Sequence, residues 1–215
     1  LIKSVAGILK PKKGEIFING TEIKKQAPRE TAKQMAVLPQ SPQVPEGLLV
    51  KELVAYGRFP YQKPVGGLTE HDHQVIRWAM EATGILSLKD RRADSLSGGQ
   101  RQRAWIAMAL AQQTGILVLD EPTTYLDMSH QLEILSLLKE LNQKNQTTIV
   151  MVIHEINHAS RFADHIIGMK EGQMVFEGTP ADVITEQNLK TLYGIRAKLT
   201  LSEDGTYPVC TEYEL

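Results

Sequence analysis

The chain has 215 residues, 42% of them apolar and 23% charged, with a net charge of −1. That length suits one large domain or a domain carrying an inserted subdomain, and the even charge balance excludes a broad basic footprint for nucleic acid or anionic lipid. The single cysteine, Cys210, excludes an intrachain disulfide and a cysteine-rich metal site and suits a reducing compartment. No apolar run approaches the roughly 18 residues of a membrane span, and the first ten residues are too short and too interrupted by lysine for a secretory signal. A cytosolic placement is expected, with any membrane association supplied by a partner.

The chain opens LIKSVAGILKPKKG, in which Leu1, Ile2, Val5, Ile8 and Leu9 fall at helical spacing. This predicts a helix already under way, without a capping residue before it, that stops near Gly14. In GEIFINGTEI (14–23), Asn19-Gly20 between two short strand patterns predicts a hairpin. QMAVLPQ (34–40) is a candidate strand ending at Pro39. From about Pro42 to Asp94 the pattern gives helices and loops without a buried strand: LLVKELVAYG (48–57), the Pro/Gly-rich FPYQKPVGG (59–67), and TEHDHQVIRWAMEATGI (69–85) with Thr69 and Asp72 in capping-box spacing. This stretch reads as a helical insertion into an α/β core.

GILVLDEP (115–122) and TTIVMVIHE (147–155) are continuous, β-branched apolar runs, the pattern of parallel strands covered on both faces. Between them MSHQLEILSLLKELNQKN (128–145) presents Ile134, Leu137, Leu138 and Leu141 on one helical face, which predicts a βαβ unit with a right-handed crossover. IIGMKEGQMVFEG (166–178) predicts a second hairpin turning at Glu171-Gly172, and Thr179-Pro180-Ala181-Asp182 a helix start. The last twenty residues are placed only loosely.

In open α/β sheets ligands collect at the carboxyl ends of the strands. Here those ends carry Gln40, Asp120-Glu121 and His154-Glu155. The adjacent Asp120 and Glu121 carboxylates, with the Gln40 amide and the His154 imidazole on one edge, suit a hydrated metal and a phosphate: one carboxylate can hold Mg²⁺, which keeps several waters, while the other polarises an attacking water. Read by itself, Asp-Glu-Pro is equally a solvated loop after a strand. In DSLSGGQRQRAWIAMALA (94–111), Ser97-Gly98-Gly99 opens a helix that is apolar nearly all round from Ala104, and small residues there leave N–H groups bare at the positive end of the helix dipole. Read by itself, that is equally an ordinary capped, buried helix. Arg101 and Arg103 fit either a phosphate field or a solvated face. His71, His73, His130, His158 and His165 lack metal-ligand spacing, Trp78 and Trp105 read as core or contact residues, and Cys210 has no activating neighbour in sequence.

Taken in order, these motifs resemble those of ABC-type ATPases. LSGGQ (96–100) is similar to the family's signature sequence, ILVLDEP (116–122) to its Walker B strand and catalytic glutamate, TTYLD (123–127) to the D-loop, His154 to the switch histidine and Gln40 to the Q-loop glutamine. AYGRFPYQ (55–62), TTYLDMSHQLEIL (123–135) and HEINHASRFADHIIGMKEGQMVFEGTP (154–180) further resemble ATP-binding subunits of bacterial iron–siderophore, haem and cobalamin importers, and favour siderophore uptake.

The resemblance implies an α/β ABC ATPase core with a mostly parallel sheet, flanking antiparallel hairpins and an inserted helical subdomain. The expected divisions are 1–41 and 96–195 for the core, 42–95 for the helical subdomain and 196–215 for a tail. It implies ATP and Mg²⁺, with Asp120 and Gln40 at the metal and Glu121 and His154 as catalytic residues. Ser97, Gly98, Gly99, Gln100, Gln40 and Asp127 would bind nucleotide, the signature residues acting across a homodimer. It also implies transmembrane permease subunits docked around residues 40–62, an indirect substrate-binding protein, no nucleic acid, and a peripheral position on the cytoplasmic face of the membrane. The chain has no G-x-x-x-x-G-K-[ST] loop; the family pattern places one directly before Leu1, so a longer parent protein is expected, with no tightly held nucleotide in the chain as it stands. An ABC-type ATPase acting on nucleic acid or ribosomes, or a non-catalytic fragment, is the alternative.

Overall fold

The computed structural model describes residues 1–40, 42, 46–63, 65–124 and 126–215. These divide into two compact units, Leu1–Val152 and Ile153–Leu215.

The first unit begins with a single helical turn, α1 (Ile2–Val5), not the longer helix that the apolar spacing predicts. Gly7 takes φ +71°, and the N–H groups of Gly7 and Ile8 turn back onto the carbonyls of Ser4 and Lys3, at 3.0 and 2.9 Å. That is a Schellman closure, and it leaves Ile8 and Leu9 exposed beyond the helix. The hairpin β1 (Phe17–Ile18) and β2 (Thr21–Glu22) turns at Asn19-Gly20 as the dipeptide predicts. Helix α2 (Pro28–Gln34) then runs without a break into β3 (Met35–Leu38).

Strands β3, β4 (Ile116–Leu119) and β5 (Thr148–Met151) form a parallel sheet in that order, with Leu38 opposite Leu119 and Leu119 opposite Met151. Alternation sorts the side chains into two layers. Ala36, Leu38, Leu117 and Leu119 face the large core; Met35 and Val118 pack with Ile18, Ile2 and Val5 on the other face. Central β4 is therefore covered on both sides. β5 is not: Ile149 and Met151 pack against the large core, whereas Val150 is exposed, because the small N-terminal cluster reaches only β3 and β4. The continuous apolar run over 147–153 overstated the burial of that strand.

Between β3 and β4 lie α3 (Val50–Ala55), a 3₁₀ segment (Tyr56–Tyr61), α4 (Glu70–Ala82) and α5 (Gly98–Ala111). The helix predicted over 48–57 thus changes winding at Tyr56. Val50, Leu53 and Val54 of α3 and Val75, Ile76, Ala79 and Met80 of α4 close on Ala104, Ala107 and Ala111 of α5, whose run of alanines permits close approach. Among the described residues of 42–94 the only β feature is an isolated bridge, Leu49 to Arg92. Helix α6 (Met128–Asn145) crosses from β4 to β5 and buries Ile134, Leu135, Leu138 and Leu141.

The second unit contains α7 (Ile156–Phe162), a hairpin of β6 (Ile166–Lys170) and β7 (Gln173–Gly178), α8 (Pro180–Val183), α9 (Glu186–Tyr193), and a second hairpin of β8 (Arg196–Leu201) and β9 (Pro208–Glu214). Residues 196–214, expected as a loosely placed tail, instead form that last hairpin. Its inner face, Ala197 and Cys210, packs on Leu189 of α9. The Asn157 side chain of α7 clamps the backbone of Cys210 in both directions, donating to its carbonyl at 3.0 Å and accepting from its N–H at 2.8 Å, while Ser160 Oγ donates to the Pro208 carbonyl at 2.5 Å. Burial pushes the Cys210 thiol up, away from the reactive thiolate.

Candidate functional site

The parallel register sets β3 and β4 side by side at their carboxyl ends. The Asp120 N–H continues the ladder to the Leu38 carbonyl at 2.9 Å. This fixes the Asp120–Glu121 pair beside the Pro39–Gln40 exit from β3. Gln40 Nε2 donates to Glu121 Oε2 at 2.6 Å across 81 positions of sequence. Thr124 Oγ1 donates to the same carboxylate oxygen at 2.9 Å. Glu121 itself has φ +53°, in the left-handed region that a branched or long side chain seldom occupies. Such strain persists where the surroundings over-determine it, and it often marks a working residue.

The surroundings do so here. Gln102, one turn into α5, donates to the Pro122 carbonyl at 2.9 Å, and Gln131 of α6 donates to the Leu126 carbonyl at 3.1 Å. Thr123 is buried between them. Two glutamines from two helices thus hold the loop after β4. Neither they nor Thr124 stood out in the sequence. A local signal was available for Thr124, three residues after an acid at a turn; Gln102 and Gln131 become legible only once the loop lies between their helices.

At the start of α5 the anticipated cap forms. Ser97 Oγ accepts from the Gln100 N–H and Gln100 Oε1 accepts from the Ser97 N–H, both at 3.3 Å. Gly98 and Gly99, as the first two helical residues, have no intrahelical acceptor for their N–H groups. A Cβ on Gly99 would come within 3.3 Å of Leu126 Cδ2, so glycine lets the loop lie close. Ser97, Gly99, Gln100, Leu126, Asp127 and His130 open onto one pocket of about 440 Å³. Asp127 caps α6: its Oδ1 accepts from the His130 N–H at 3.0 Å and from Ser129 Oγ at 2.9 Å, and lies 2.7 Å from His130 Nδ1. The His130 N–H foremost, with the Ser129 hydroxyl, holds the Asp127 carboxyl below its usual range.

The proposed site residues of the first unit therefore form two groups. Gln40, Asp120 and Glu121 share the sheet edge; Ser97, Gly99, Gln100 and Asp127 share the pocket. The loop 122–126 joins them, with Tyr125 outside the described residues. Arg101 donates to the Leu96 carbonyl at 3.1 Å and Arg103 pairs with Glu133, so both guanidinium groups are engaged by their own fold. His154 is exposed and belongs to the second unit, three residues past the end of β5. His165 lies 3.1 Å from Glu177, and His158 sits edge-on to Phe162. Trp105 is buried in the large core, whereas Trp78 is partly exposed on α4. Of the anticipated docking region around 40–62, residues 41 and 43–45 lie outside the described set.

A parallel sheet with an acid pair at the end of its central strand, an amide from the neighbouring strand, and a capped Ser-Gly-Gly helix start define an ABC-type nucleotide-handling cassette. Comparison with known proteins agrees. Residues 1–124 match the family model described as "ABC transporter". The chain is 48% identical over 215 residues to the iron(3+)-hydroxamate import ATP-binding protein FhuC of Bacillus subtilis, covering all of this chain and 80% of that protein. It is 42% identical over 199 residues to the ferric enterobactin transport ATP-binding protein FepC of Escherichia coli, covering 93% of this chain and 73% of that protein. Among solved structures, the dimeric post-hydrolysis state of the ATP-binding cassette MJ0796 bound to ADP and Pi superposes with a TM-score of 0.72. It is 28% identical, over 83% of this chain and 78% of that one. The chain belongs to the ABC transporter family of ATP-binding proteins.

Proposed function

We infer that this chain belongs to the ATP-binding and ATP-hydrolysing subunit of an ABC importer that energises uptake of a ferric siderophore through a membrane permease. The observation that carries the catalytic reading is the 2.6 Å hydrogen bond from Gln40 to Glu121 at the carboxyl edge of adjacent parallel strands. It places an amide and a strained carboxylate where the α/β fold collects phosphate ligands. The import reading is supported by similarity to the hydroxamate and enterobactin proteins over nearly the whole chain.

Glu121 is the general base: its carboxylate, aimed by Gln40 and Thr124, orients and polarises the water that attacks the γ-phosphate. Asp120 and the Gln40 carbonyl oxygen are hard oxygen donors, and an amide that gives its N–H to Glu121 keeps that oxygen for a cation. This donor set fits Mg²⁺, which favours oxygen ligands and needs few of them from protein. The ion, when bound, supplies charge neutralisation at the phosphates. Gly98 and Gly99 offer N–H groups, and Ser97 and Gln100 side-chain donors, to the γ-phosphate of ATP held by a second copy, a helix-terminus anion site working in trans. Asp127 lies at the same pocket and crosses to the partner copy. His154 contacts the γ-phosphate and reports its presence. Such a distribution suits phosphoryl transfer, where positioning and charge stabilisation outweigh covalent chemistry.

The two separate groups of site residues in one chain, and the dimeric state of the MJ0796 cassette, support assembly as a homodimer. No helix among the described residues is long and apolar enough to cross a membrane. The dimer docks peripherally on the cytoplasmic face, on permease subunits that meet the region around 40–62, and a substrate-binding protein feeds the permease. Conversion of Glu121 to Gln in the protein carrying this chain tests the reading. The amide keeps the shape but cannot accept a proton, so turnover falls by roughly 10²–10⁴ and ATP accumulates in a closed dimer seen by size exclusion. Normal steady-state hydrolysis in E121Q removes Glu121 from this role.

A further inference from the structure

The 3₁₀ segment Tyr56–Tyr61 has two unlike surfaces. Outward, Phe59 is 73% exposed and Tyr56 is 51% exposed. Inward, the segment is fastened at several points. A Cβ on Gly57 would fall 2.1 Å from the Met108 carbonyl, so the backbone lies directly on α5. Arg58 donates to Asp72 at 2.7 Å and to the Ala111 carbonyl at 2.8 Å, with its guanidinium 4.2 Å from the Tyr61 ring centroid. The Tyr61 hydroxyl donates to the Gln112 carbonyl at 2.9 Å.

One fastening leads elsewhere. Arg29, the second residue of α2, donates Nε to the Pro60 carbonyl at 2.7 Å and Nη2 to the Gln62 carbonyl. Two parallel donors of one planar group fix orientation as well as distance. Helix stability does not account for the placing, since a cation in a first turn faces the positive end of the helix dipole. Burial does not either, because Arg29 is exposed and water could serve those carbonyls. What the fork does is tie the end of the 3₁₀ segment to α2. That helix continues directly into β3, and β3 delivers Gln40 to Glu121. The Gln112 side chain runs alongside, donating to the Met35 carbonyl at 3.1 Å and to that of Ala32.

We propose that Arg29 is a positioning residue: a strut that transmits displacement of the 56–62 segment through α2 and β3 to the Gln40 amide, and so sets the aim of Glu121 when the permease is engaged. This rests on the reading above, in which the permease meets residues around 40–62. The strut acts on the response of hydrolysis to the permease, not on hydrolysis itself.

The test uses the protein carrying this chain, isolated and assembled with its co-purified permease in nanodiscs. ATP hydrolysis is measured in both states, with KM for ATP and the melting temperature. For Arg29→Ala the isolated rate, KM and melting temperature stay close to wild type. The ratio of assembled to isolated rate moves toward one by about tenfold, within the range of ordinary coupling effects. Arg29→Lys, which keeps the charge and loses the planar fork, falls between the two. An unchanged ratio in Arg29→Ala overturns the strut. So does a parallel fall of both rates, which marks a structural role, or a failure to assemble, which marks a docking residue. Full rescue by lysine overturns the fork in favour of charge alone. A wild-type protein that hydrolyses no ATP overturns the ATPase reading itself, and the strut with it; an active wild type with an unaltered variant isolates the failure to Arg29.

Discussion

The loop after β4 and the 3₁₀ segment before α4 are both short, irregular and rich in polar contacts, yet they are built on opposite terms. The 3₁₀ segment is closed. Arg58 and Asp72 are both buried, and each is satisfied several times: Asp72 accepts from Arg58, from the Thr69 N–H at 2.9 Å and from Thr69 Oγ1 at 2.6 Å. The loop after β4 buries Pro122 and Thr123 but leaves Asp120 and Glu121 only half-buried, with Glu121 on a strained backbone. Low dielectric makes a buried charge costly unless every partner is present, so the first region is rigid because it cannot afford a missing contact. The second can lose a contact and keep its fold, which is what a site that must meet a substrate requires. Mutation should therefore unfold the one and merely silence the other.

The largest structural effect is expected at Asp72. Replacing it with alanine leaves the Arg58 guanidinium buried without its anion and removes the Asp72 half of the capping box that opens α4, a loss on the order of 3–5 kcal/mol. Urea unfolding measures it. Asp72→Asn, which still accepts from Thr69 but carries no charge, should lose clearly less. Equal losses would mean that the ion pair, not the capping contacts that asparagine keeps, holds the segment. By contrast the Glu121→Gln protein, nearly inactive, should unfold at the wild-type urea midpoint. A lowered midpoint there would erase the distinction between the two regions.

A smaller effect of the same kind is set by pH. Burial alone would raise the Asp72 carboxyl, but the Thr69 hydroxyl and N–H and the Arg58 guanidinium outweigh it and bring it from 3.8 to about 2. A carboxyl lowered in the folded state binds its proton more readily when unfolded. Its contribution is therefore present above pH ~4 and is lost as pH falls from about 4 toward 2. Stability measured across that window should drop in wild type and drop less steeply in Asp72→Asn. Identical slopes would show that other carboxylates govern acid unfolding.

What could be read in advance follows the same division. Features encoded within one turn or one strand were legible: the Asn19-Gly20 and Glu171-Gly172 hairpins, the Thr69 and Ser97 caps, helix 128–145 to its ends, and the three parallel strands. The strand-end rule brought Gln40 to Asp120 and Glu121 without any knowledge of contacts. What failed depended on partners distant in sequence or on one backbone angle. The first helix ended early because Gly7 adopted a left-handed turn inside an apolar pattern that periodicity alone reads through. β5 seemed doubly covered because its composition does not say how far the neighbouring layer extends. The 196–214 hairpin was hidden because its apolar face is small, Ala197 and Cys210, and its anchors, Asn157 and Ser160, lie some fifty residues earlier. AYGRFPYQ could be matched to a family but not explained; its arginine, glycine and tyrosine gain a reason only when α2, α4 and α5 surround them.

The finest test of the comparison is at Thr124. Its hydroxyl donates to Glu121 Oε2 at 2.9 Å, on the same oxygen that receives the Gln40 amide. Valine fills the same volume and cannot donate. One hydrogen bond of this kind is worth about 1 kcal/mol, so Thr124→Val should slow hydrolysis by roughly fivefold. KM for ATP should not change, because Thr124 touches the base and not the nucleotide in the reading given above. The melting temperature should stay where it is, since the loop keeps its Gln102 and Gln131 tethers. A loss of stability without a loss of rate would show that Thr124 holds the backbone turn and leaves the aim of Glu121 to Gln40 alone. A loss of rate with unchanged stability would show the carboxylate held by two donors, one from the strand that leads back to Arg29 and one from its own turn, so that removing the Gln40 contact still leaves Glu121 partly aimed.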